Sequence, residues 1–364
     1  MRSAPKLTGI ASAGSPPLVS VLIPVFNRER FIGPAVESAL AQSLRDVEIV
    51  IVDDGSNDDT ARCVRSFGDP RIRLVQHPRN LGIPAARNSA LDEARGRYVA
   101  WLDSDDVARG RRIERQVRYL ERHPEVAMVG ACAGKIDSSG KQLSGVRVPP
   151  LTHDEIRCRL LFTSAFQQSS IMGRRHILDS YRYGPEFDVC EDIDTAVRIA
   201  RRHKVANMPE VLVDRRMHPE QIGREARERV LTAQARISAP QLDRLGLSYT
   251  PADLHRHCLL GRVPRSAPTD EELRWADEWV LRLIDANDRA GVLSPSALRF
   301  VAGTLLVERY RRRSSWHAVR MFVGSRFAGD LLSSRALRWT AAAMAPIVAQ
   351  SLSAALAACA GQPA

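Results

Sequence analysis

The chain has 364 residues, 44% of them hydrophobic, and its 53 Lys and Arg against 42 Asp and Glu give a formal net charge of +11. This suits a globular protein with one large domain and an appendage, or with two domains. No apolar segment of the kind found in secretory signals follows Met1, and the six cysteines show no C-x-x-C pair or zinc-like spacing. We therefore expect a cytoplasmic protein with free thiols and a disordered lead over residues 1–17.

The positive charge is distributed unevenly along the chain. The excess of basic over acidic residues is larger over residues 221–364 than over residues 1–220. A basic C-terminal region suits contact with anionic lipid, anionic glycan or nucleic acid. An arginine-rich genome composition would produce part of the same excess without any function, so both interpretations stay open.

From Leu18 onward, apolar runs alternate with segments of helical periodicity. This alternation predicts an α/β fold with a doubly wound, mostly parallel sheet flanked by helices. The predicted strands cover residues 19–27, 47–52, 71–76, 98–102 and 126–132. The predicted helices cover residues 31–43, 82–95 and 111–122, with a further helix that opens at residues 58–60.

Acidic residues follow two of the predicted strands directly. Asp53 and Asp54 end the second strand, and Asp103, Asp105 and Asp106 end the fourth. Open α/β sheets bind ligands at the carboxyl ends of their strands, where carboxylates can share one Mg²⁺ or Mn²⁺ ion. The same acids are also typical of a turn or a helix cap, so the pattern alone leaves both interpretations open.

Two common nucleotide-binding motifs are missing from the sequence. No G-x-G-x-x-G follows the first strand, and no G-x-x-x-x-G-K-[ST] occurs anywhere. This argues against a dinucleotide dehydrogenase and a P-loop NTPase. A carboxylate can still accept hydrogen bonds from a base or a ribose, and a metal can neutralise a pyrophosphate.

Four segments resemble the successive motifs of the family 2 glycosyltransferases. They are Val19–Asn27, Val52–Ser56, Asn80–Asn88 and Leu102–Asp106. The resemblance implies a GT-A fold over residues 18–222 and inverting sugar transfer from a nucleotide diphosphate donor. We expect a UDP-sugar donor and a hydroxyl acceptor on a glycan or a lipid-linked sugar, in bacterial surface polysaccharide synthesis.

The resemblance also assigns roles to single residues. Asp105 is expected to be the main ligand of Mg²⁺ or Mn²⁺, Asp103 to contact the ribose or the metal's water shell, and His218 to approach the metal or the diphosphate. For Asp106 a helix-cap role and a catalytic role both stay open. The expected donor-binding residues are Pro24, Phe26, Asp53, Asp54, Arg87 and Asp103.

A transferase of this kind also needs a general base on the acceptor side. Glu191 and Asp192 open a segment of helical periodicity followed by Val197–Ile199, which resembles the acceptor-side motif of the family. We assign the base to Asp192, with Glu191 as its neighbour. Acidic residues that merely complement a helix N-terminus are the alternative.

The region from residue 223 to 364 shows helical periodicity and no catalytic constellation, which predicts a helical C-terminal region. Residues 339–364 carry no charge but contain few large apolar side chains, so a membrane span is not expected and peripheral membrane contact is the hypothesis. No nucleic-acid partner is expected.

Two other classes of protein stay open as alternatives. A non-catalytic sugar-nucleotide or polyanion binding module would account for the basic charge. A nucleotidyltransferase shares acids at strand ends, but it normally has a glycine-rich basic loop after the first strand, where this chain has Pro24–Asn27.

Overall fold

The computed structural model describes residues 16–219, 227–263 and 266–313, which fall into two compact units. The first contains the chain up to Ile156 together with Ser164–Ala233, and the second contains Arg157–Thr163 and the chain from Gln234 onward. The domain boundary predicted between residues 222 and 223 lies outside the described residues and stays a prediction. Residues 1–15 of the predicted lead and the uncharged segment 339–364 also lie outside them.

The strands of the described part all belong to one sheet in the first unit. They are β1 (Val19–Val25), β2 (Val47–Asp53), β3 (Ile72–Gln76), β4 (Tyr98–Trp101), β5 (Val107–Ala108), β6 (Val126–Ile136), β7 (Gln142–Arg147), β8 (Met172–Arg174) and β9 (Lys204–Arg216).

The helices alternate with these strands in the first part of the chain and follow one another in the last. They are α1 (Ile32–Leu40), α2 (Thr60–Arg65), α3 (Ile83–Glu93), α4 (Arg112–Arg122), α5 (His153–Leu160), α6 (Arg175–Leu178), α7 (Glu191–Arg202), α8 (Arg227–Arg244), α9 (Pro251–Leu260), α10 (Asp270–Ala290) and α11 (Pro295–Arg313).

The sheet has the strand order β3-β2-β1-β4-β8-β6-β9-β5, with β7 paired to β6 outside this path. The pairs β1–β2, β1–β4, β2–β3 and β6–β9 are parallel. Strands β5, β7 and β8 pair antiparallel. The predicted doubly wound α/β sheet is confirmed. Residues 167–175, which the sequence predicts to be strand-like and which resemble the acceptor-site edge of the family, contain β8. Strands β5 and β7 are additions that strand–helix alternation did not predict.

The register of the parallel strands brings the sequence motifs together. Leu22 of β1 lies opposite Trp101 of β4, and Val25 lies opposite Asp53 of β2. The backbone N–H of Leu102 donates to the carbonyl of Leu22 at 3.0 Å, which extends this pairing to the start of the acidic segment. The ends of β1, β2 and β4 therefore meet at one edge, as the parallel arrangement requires.

The core of the first unit lies between the sheet and the helices that cover it. Ile49 and Ile51 of β2, Val21 of β1, Ile32 of α1 and Val117 of α4 belong to this core and are inaccessible or nearly so. At Gly96, just before β4, an added Cβ would lie 2.5 Å from the backbone nitrogen of Ser20. A side chain at this position would force β1 and β4 apart.

The described part of the second unit is helical, as predicted, and has its own core. Thr250 and Thr269 form capping boxes at the starts of α9 and α10. Its buried residues come from α8 to α11 and from Cys158, Leu161 and Phe162. In the described ranges no helix has both the length and the apolar character that a membrane crossing requires.

Candidate active site

A cleft of about 1190 Å³ lies in the first unit at the carboxyl edge of the parallel strands. Its walls come from the ends of β1, β2 and β4 and from the start of α3. The segment before α7 and the last residues of β9 complete them. The residues that line it include Pro24, Phe26, Asp54, Arg87, Asp103, Asp105, Asp106, Arg147, Gln167, Asp192 and Arg215. The cleft thus collects residues from all four sequence motifs and from the predicted acceptor side.

Phe26 and Leu81 give the cleft an exposed apolar surface near the ends of β1 and β2. Phe26 is 38% and Leu81 46% exposed, although both are large hydrophobic residues. Exposed apolar side chains of this size in a polar cleft are suited to contact with a planar ring such as a nucleobase. Pro24 lines the same part of the cleft.

Asp54 lines the cleft, and its carboxylate fixes the neighbouring loop. Oδ1 lies 2.6 Å from Nδ1 of His77 and accepts the backbone N–H of Leu81 at 3.0 Å. Oδ2 accepts the N–H of Gly82 at 2.8 Å. Both oxygens therefore hold the loop that precedes α3, and with it the start of the helix that carries Arg87.

Asp53 does not line the cleft. Its Oδ1 accepts the backbone N–H of Ser56 at 3.0 Å, and its Oδ2 accepts from Nε2 of Gln76 at 3.0 Å. The side chain is fully buried and fastens the turn after β2 to β3. Its expected donor contact stays a prediction, while the observed contacts are those of a residue that shapes the turn.

Asp103 and Asp106 share one hydroxyl group. The Oγ of Ser169 donates to Oδ2 of Asp103 at 2.9 Å and also contacts Oδ2 of Asp106. Burial raises the pKa of Asp106 well above its usual range, and the nearby Asp105 and Asp103 raise it further. A neutral Asp106 can donate to this oxygen while Ser169 donates to Asp103, so that each group has a partner.

Asp106 also connects the acidic segment to the end of β9. Its Oδ1 accepts the backbone N–H of Arg216 at 2.9 Å, and the Arg216 Nε donates to the carbonyl of Asp105 at 2.8 Å. These bonds hold His218, two residues further on, beside Asp105. The structure therefore gives Asp106 a positioning contact, although the sequence left its role open.

Asp105 and His218 are in direct contact. Nε2 of His218 lies 2.9 Å from Oδ2 of Asp105, and the imidazole packs against the ring of Phe31 with the centroids 4.7 Å apart. Within the described residues, the buried Nδ1 of His218 has no hydrogen-bond partner. Imidazole and carboxylate are both metal ligands, and carboxylate oxygens suit Mg²⁺ and Mn²⁺.

The expected metal site is only partly preassembled. In residues 16–219, 227–263 and 266–313, no three His, Cys, Asp or Glu side chains converge closely enough to hold an ion. Asp103 and Asp105 both line the cleft. Burial raises the pKa of Asp103; Arg87 opposes this rise, and the negative charge of Asp105 adds to it. A divalent cation between them would offset this repulsion.

Arg87 joins the acidic segment to the start of α7. Its Nε donates to Oε1 of Glu191 at 3.0 Å, and its Nη2 lies 3.4 Å from Oδ1 of Asp103. The guanidinium also lies over the rings of Trp101 and Tyr183, 5.1 and 5.5 Å from their centroids. Burial alone would lower the pKa of Arg87, but Glu191 and Asp103 raise it above its ordinary value.

The two acids at the start of α7 occupy different environments. Asp192 lines the cleft, whereas Glu191 is buried against Arg87. Burial raises the pKa of Glu191 to about 7; Arg87 opposes this rise and Asp192 adds to it. Cys190 precedes them in the left-handed conformation, with φ of 65°, and turns the chain into the helix. The structure thus separates a cleft-facing acid from a supporting one.

Several residues of this site were not predicted individually from the sequence. Ser169 lies in the stretch 167–175 that resembles an acceptor-site edge, so a signal for it existed. Arg147, Arg215 and Tyr183 carried no such signal, because an isolated arginine or tyrosine is compatible with many structural roles. Only the fold shows that the two arginines line the cleft and that the ring of Tyr183 faces the guanidinium of Arg87.

The fold and the cleft together define a glycosyltransferase of the GT-A class, and comparison with known proteins supports this. The family model described as glycosyl transferase family 2 matches residues 20–182. An uncharacterised glycosyltransferase of Methanocaldococcus jannaschii is 30% identical over 206 residues, which are 55% of this chain and 71% of the relative. The amylovoran biosynthesis glycosyltransferase AmsE of Erwinia amylovora is 31% identical over 201 residues, 54% and 75% of the two chains.

The chain therefore belongs to the family 2 glycosyltransferases, and the resemblance seen in its motifs is confirmed. A crystal structure of S. aureus TarS residues 1–349 in complex with UDP-GlcNAc has a TM-score of 0.53 and 16% identity. The match covers 83% of this chain and 91% of that one, and it confirms the GT-A fold.

Proposed function

We propose that this protein is an inverting, metal-assisted glycosyltransferase that moves a sugar from a UDP-sugar to a hydroxyl group of a glycan or lipid-linked acceptor. The observation that carries the proposal is the cleft with two chemically different ends. Asp103, Asp105 and His218 lie at the β4 end, and Asp192 lies at the start of α7. The relative AmsE is named for amylovoran biosynthesis, which supports a role in bacterial surface polysaccharide synthesis.

The donor end suits a nucleotide diphosphate. Pro24 and Phe26 offer apolar surface for the base, and Arg87 lies behind Asp103 at the diphosphate position. A bound Mg²⁺ or Mn²⁺ would neutralise charge on the leaving diphosphate. Asp105 and Asp103 are the proposed ligands of that ion, and His218 orients Asp105 and offers a nitrogen ligand of its own.

The acceptor end supplies the base. The acceptor oxygen attacks the anomeric carbon from the face opposite the nucleotide diphosphate, and its proton passes to the carboxylate of Asp192. The new glycosidic bond forms as the bond to the diphosphate oxygen breaks, so the configuration at the anomeric carbon inverts. The bond between Arg87 and Glu191 fixes the start of α7, which carries Asp192.

A screen of nucleotide-sugars with Mg²⁺ or Mn²⁺ tests the proposal. The wild type should release nucleoside diphosphate from one donor, and Asp105→Ala should lower this metal-dependent release by at least about 100-fold, because the leaving diphosphate loses its counterion. Asp285→Ala, which removes an exposed carboxylate on α10, is the matched control and should retain the wild-type rate.

Two outcomes would contradict the proposal. Metal-dependent release that is equal in Asp105→Ala and the wild type would exclude Asp105 as a ligand. Tight binding of a nucleotide-sugar without turnover of any donor would favour a binding module.

We further propose that the protein acts in the cytoplasm, at the inner face of the membrane, with contact through the C-terminal region. Vesicle sedimentation before and after deletion of residues 339–364 tests this.

A further inference from the structure

Two arginines line the same cleft as Asp192. Arg147 ends β7, and Arg215 lies near the end of β9. Among the described residues, the hydrogen bonds of the Arg147 guanidinium go to neutral groups: its Nη1 donates to Oε1 of Gln167 and its Nη2 to the carbonyl of Phe166, both at 3.1 Å. These two bonds fix the orientation of the guanidinium but do not neutralise its charge.

The two positive charges are poorly compensated. Within the described part of the chain, neither Arg147 nor Arg215 forms an ion pair, whereas Arg229 on the same cleft is paired with Asp188. Burial, and after it the charge of Arg215, lowers the pKa of Arg147 to about 10, and the negative charge of Asp192 only partly opposes this. Two like charges held together at a cleft wall are stabilised when an anion binds between them.

The donor is not the anion that these arginines are placed to bind. The charge of a donor diphosphate is met by the ion expected at Asp105 and by Arg87. Arg147, in contrast, is fixed by the segment 166–167 and interacts with Asp192, the proposed base. A group bound there lies beside the hydroxyl that Asp192 activates, so it belongs to the acceptor.

We propose that Arg147 and Arg215 form an anion-binding subsite, and that the acceptor carries a phosphate or carboxylate group that binds between the two guanidinium groups. This inference rests on the proposed function and names the substrate class of the same cleft. Guanidinium groups bind both anions through paired N–H donors. The anion has two sources, the phosphate of a lipid-linked sugar or an acidic group on the glycan itself.

Titration of the full-length protein with inorganic phosphate, with and without saturating UDP, tests the subsite directly. The wild type should bind phosphate in both states. Arg147→Gln and Arg215→Gln should each weaken phosphate binding by about tenfold or more, because each removes a charged hydrogen-bond donor. Arg147→Lys should restore part of the affinity. Arg122→Gln, an exposed arginine at the end of α4, should bind as the wild type does.

Unchanged phosphate affinity in Arg147→Gln and Arg215→Gln would overturn the inference. Loss of phosphate binding on saturation with UDP would also overturn it, since the arginines would then hold the donor diphosphate. Phosphate binding is measured without turnover, so failure of the proposed transfer reaction would be seen separately, as absence of donor cleavage.

The identified donor then allows a comparison of acceptors. A prenyl-phosphate-linked sugar, a uronate-bearing oligosaccharide and its neutral counterpart are compared by kcat/KM. At least one anionic acceptor should exceed the neutral one by about tenfold, and Arg215→Gln should abolish the difference. Preference for the first or the second anionic acceptor identifies the source of the anion, and equal use of all three would overturn the inference.

Discussion

Arg87 shows how one buried side chain can connect the two ends of a cleft. A guanidinium without partners would be expensive to bury, but Glu191 and Asp103 supply charge and the rings of Trp101 and Tyr183 supply π-faces. Because Arg87 contacts Asp103 with one nitrogen and Glu191 with another, it links the acidic segment after β4 to the start of α7. Lysine has one ammonium group instead of several guanidinium nitrogens, so it could not make both contacts in the same geometry.

The role of Asp192 can be tested by removing only its basicity. Asp192→Asn should keep donor binding and lower transfer by about 100-fold or more, because an amide cannot accept the acceptor proton. Donor affinity and transfer rate are measured on the same preparation. Asp194→Asn, two residues further along the same helix, outside the cleft lining and paired with Arg198, is the matched control. Undiminished transfer by Asp192→Asn would exclude it as the base.

At the scale of single elements, strand ends were the most predictable part of the site. Parallel strands leave their carboxyl ends at one edge, so acids after β2 and β4 had to approach each other. Which acid faces the cleft was less predictable. Neighbouring residues at a strand end point in different directions, and Asp53 turns into the sheet while Asp54 reaches the cleft. The sequence alone could not distinguish these two.

Contacts between distant segments were the least predictable part. The shared hydroxyl of Ser169 joins Asp103 and Asp106 across more than 60 residues of sequence, and Tyr183 reaches Arg87 from the loop before α7. Neither contact follows from periodicity, because the path of the chain after β6 depends on the antiparallel strand β8. The resemblance to the family identified the stretches, and the fold identified the residues.

The turn into α7 makes a testable prediction about backbone strain. Cys190 has φ of 65°, a conformation that costs a residue with a Cβ about 1–2 kcal/mol. Cys190→Gly removes this strain and should leave the free energy of unfolding within about 1 kcal/mol of the wild type. Cys190→Val adds a β-branched side chain and should destabilise the fold by about 2 kcal/mol and lower kcat, because α7 carries Asp192.

Urea unfolding and steady-state kinetics of the two Cys190 variants provide the measurement. Since both variants remove the thiol, their difference isolates the backbone effect from the contact between the sulfur and the carbonyl of Val230. Equal stability of Cys190→Gly and Cys190→Val would contradict the prediction of a strained turn.

At the scale of the whole molecule, the chain contains a second core that the catalytic motifs do not explain. The helical periodicity of the region after residue 223 predicted a helical unit, and α10 and α11 are among its helices. The contribution of Arg157–Thr163 to this unit was not predicted. Seven residues at the end of a short helix have no pattern that distinguishes packing within one unit from packing within another.

His257 is fully buried in this second core and predicts a pH dependence of its stability. Its Nε2–H donates to the carbonyl of Leu161 at 2.8 Å, its Nδ1 accepts from Nε1 of Trp279 at 3.0 Å, and its ring stacks on Phe162. Both nitrogens are therefore satisfied in the neutral form. Burial lowers the pKa of His257 to about 4, and the bond to Leu161 only partly opposes this.

Between pH 6.5 and 4 the unfolded chain binds a proton at His257 that the folded chain does not. Stability is therefore complete above pH 6.5 and falls with pH by up to about 3 kcal/mol, at roughly 1.4 kcal/mol per pKa unit. Urea unfolding of the wild type and His257→Gln from pH 4.5 to 7.5 measures this, and the free energy of unfolding should depend less steeply on pH in the variant.

The exposed His255, two residues away on α9, provides the control His255→Gln, whose slope should equal that of the wild type. Identical slopes in all three proteins would mean that the pKa of His257 is not lowered in the folded core.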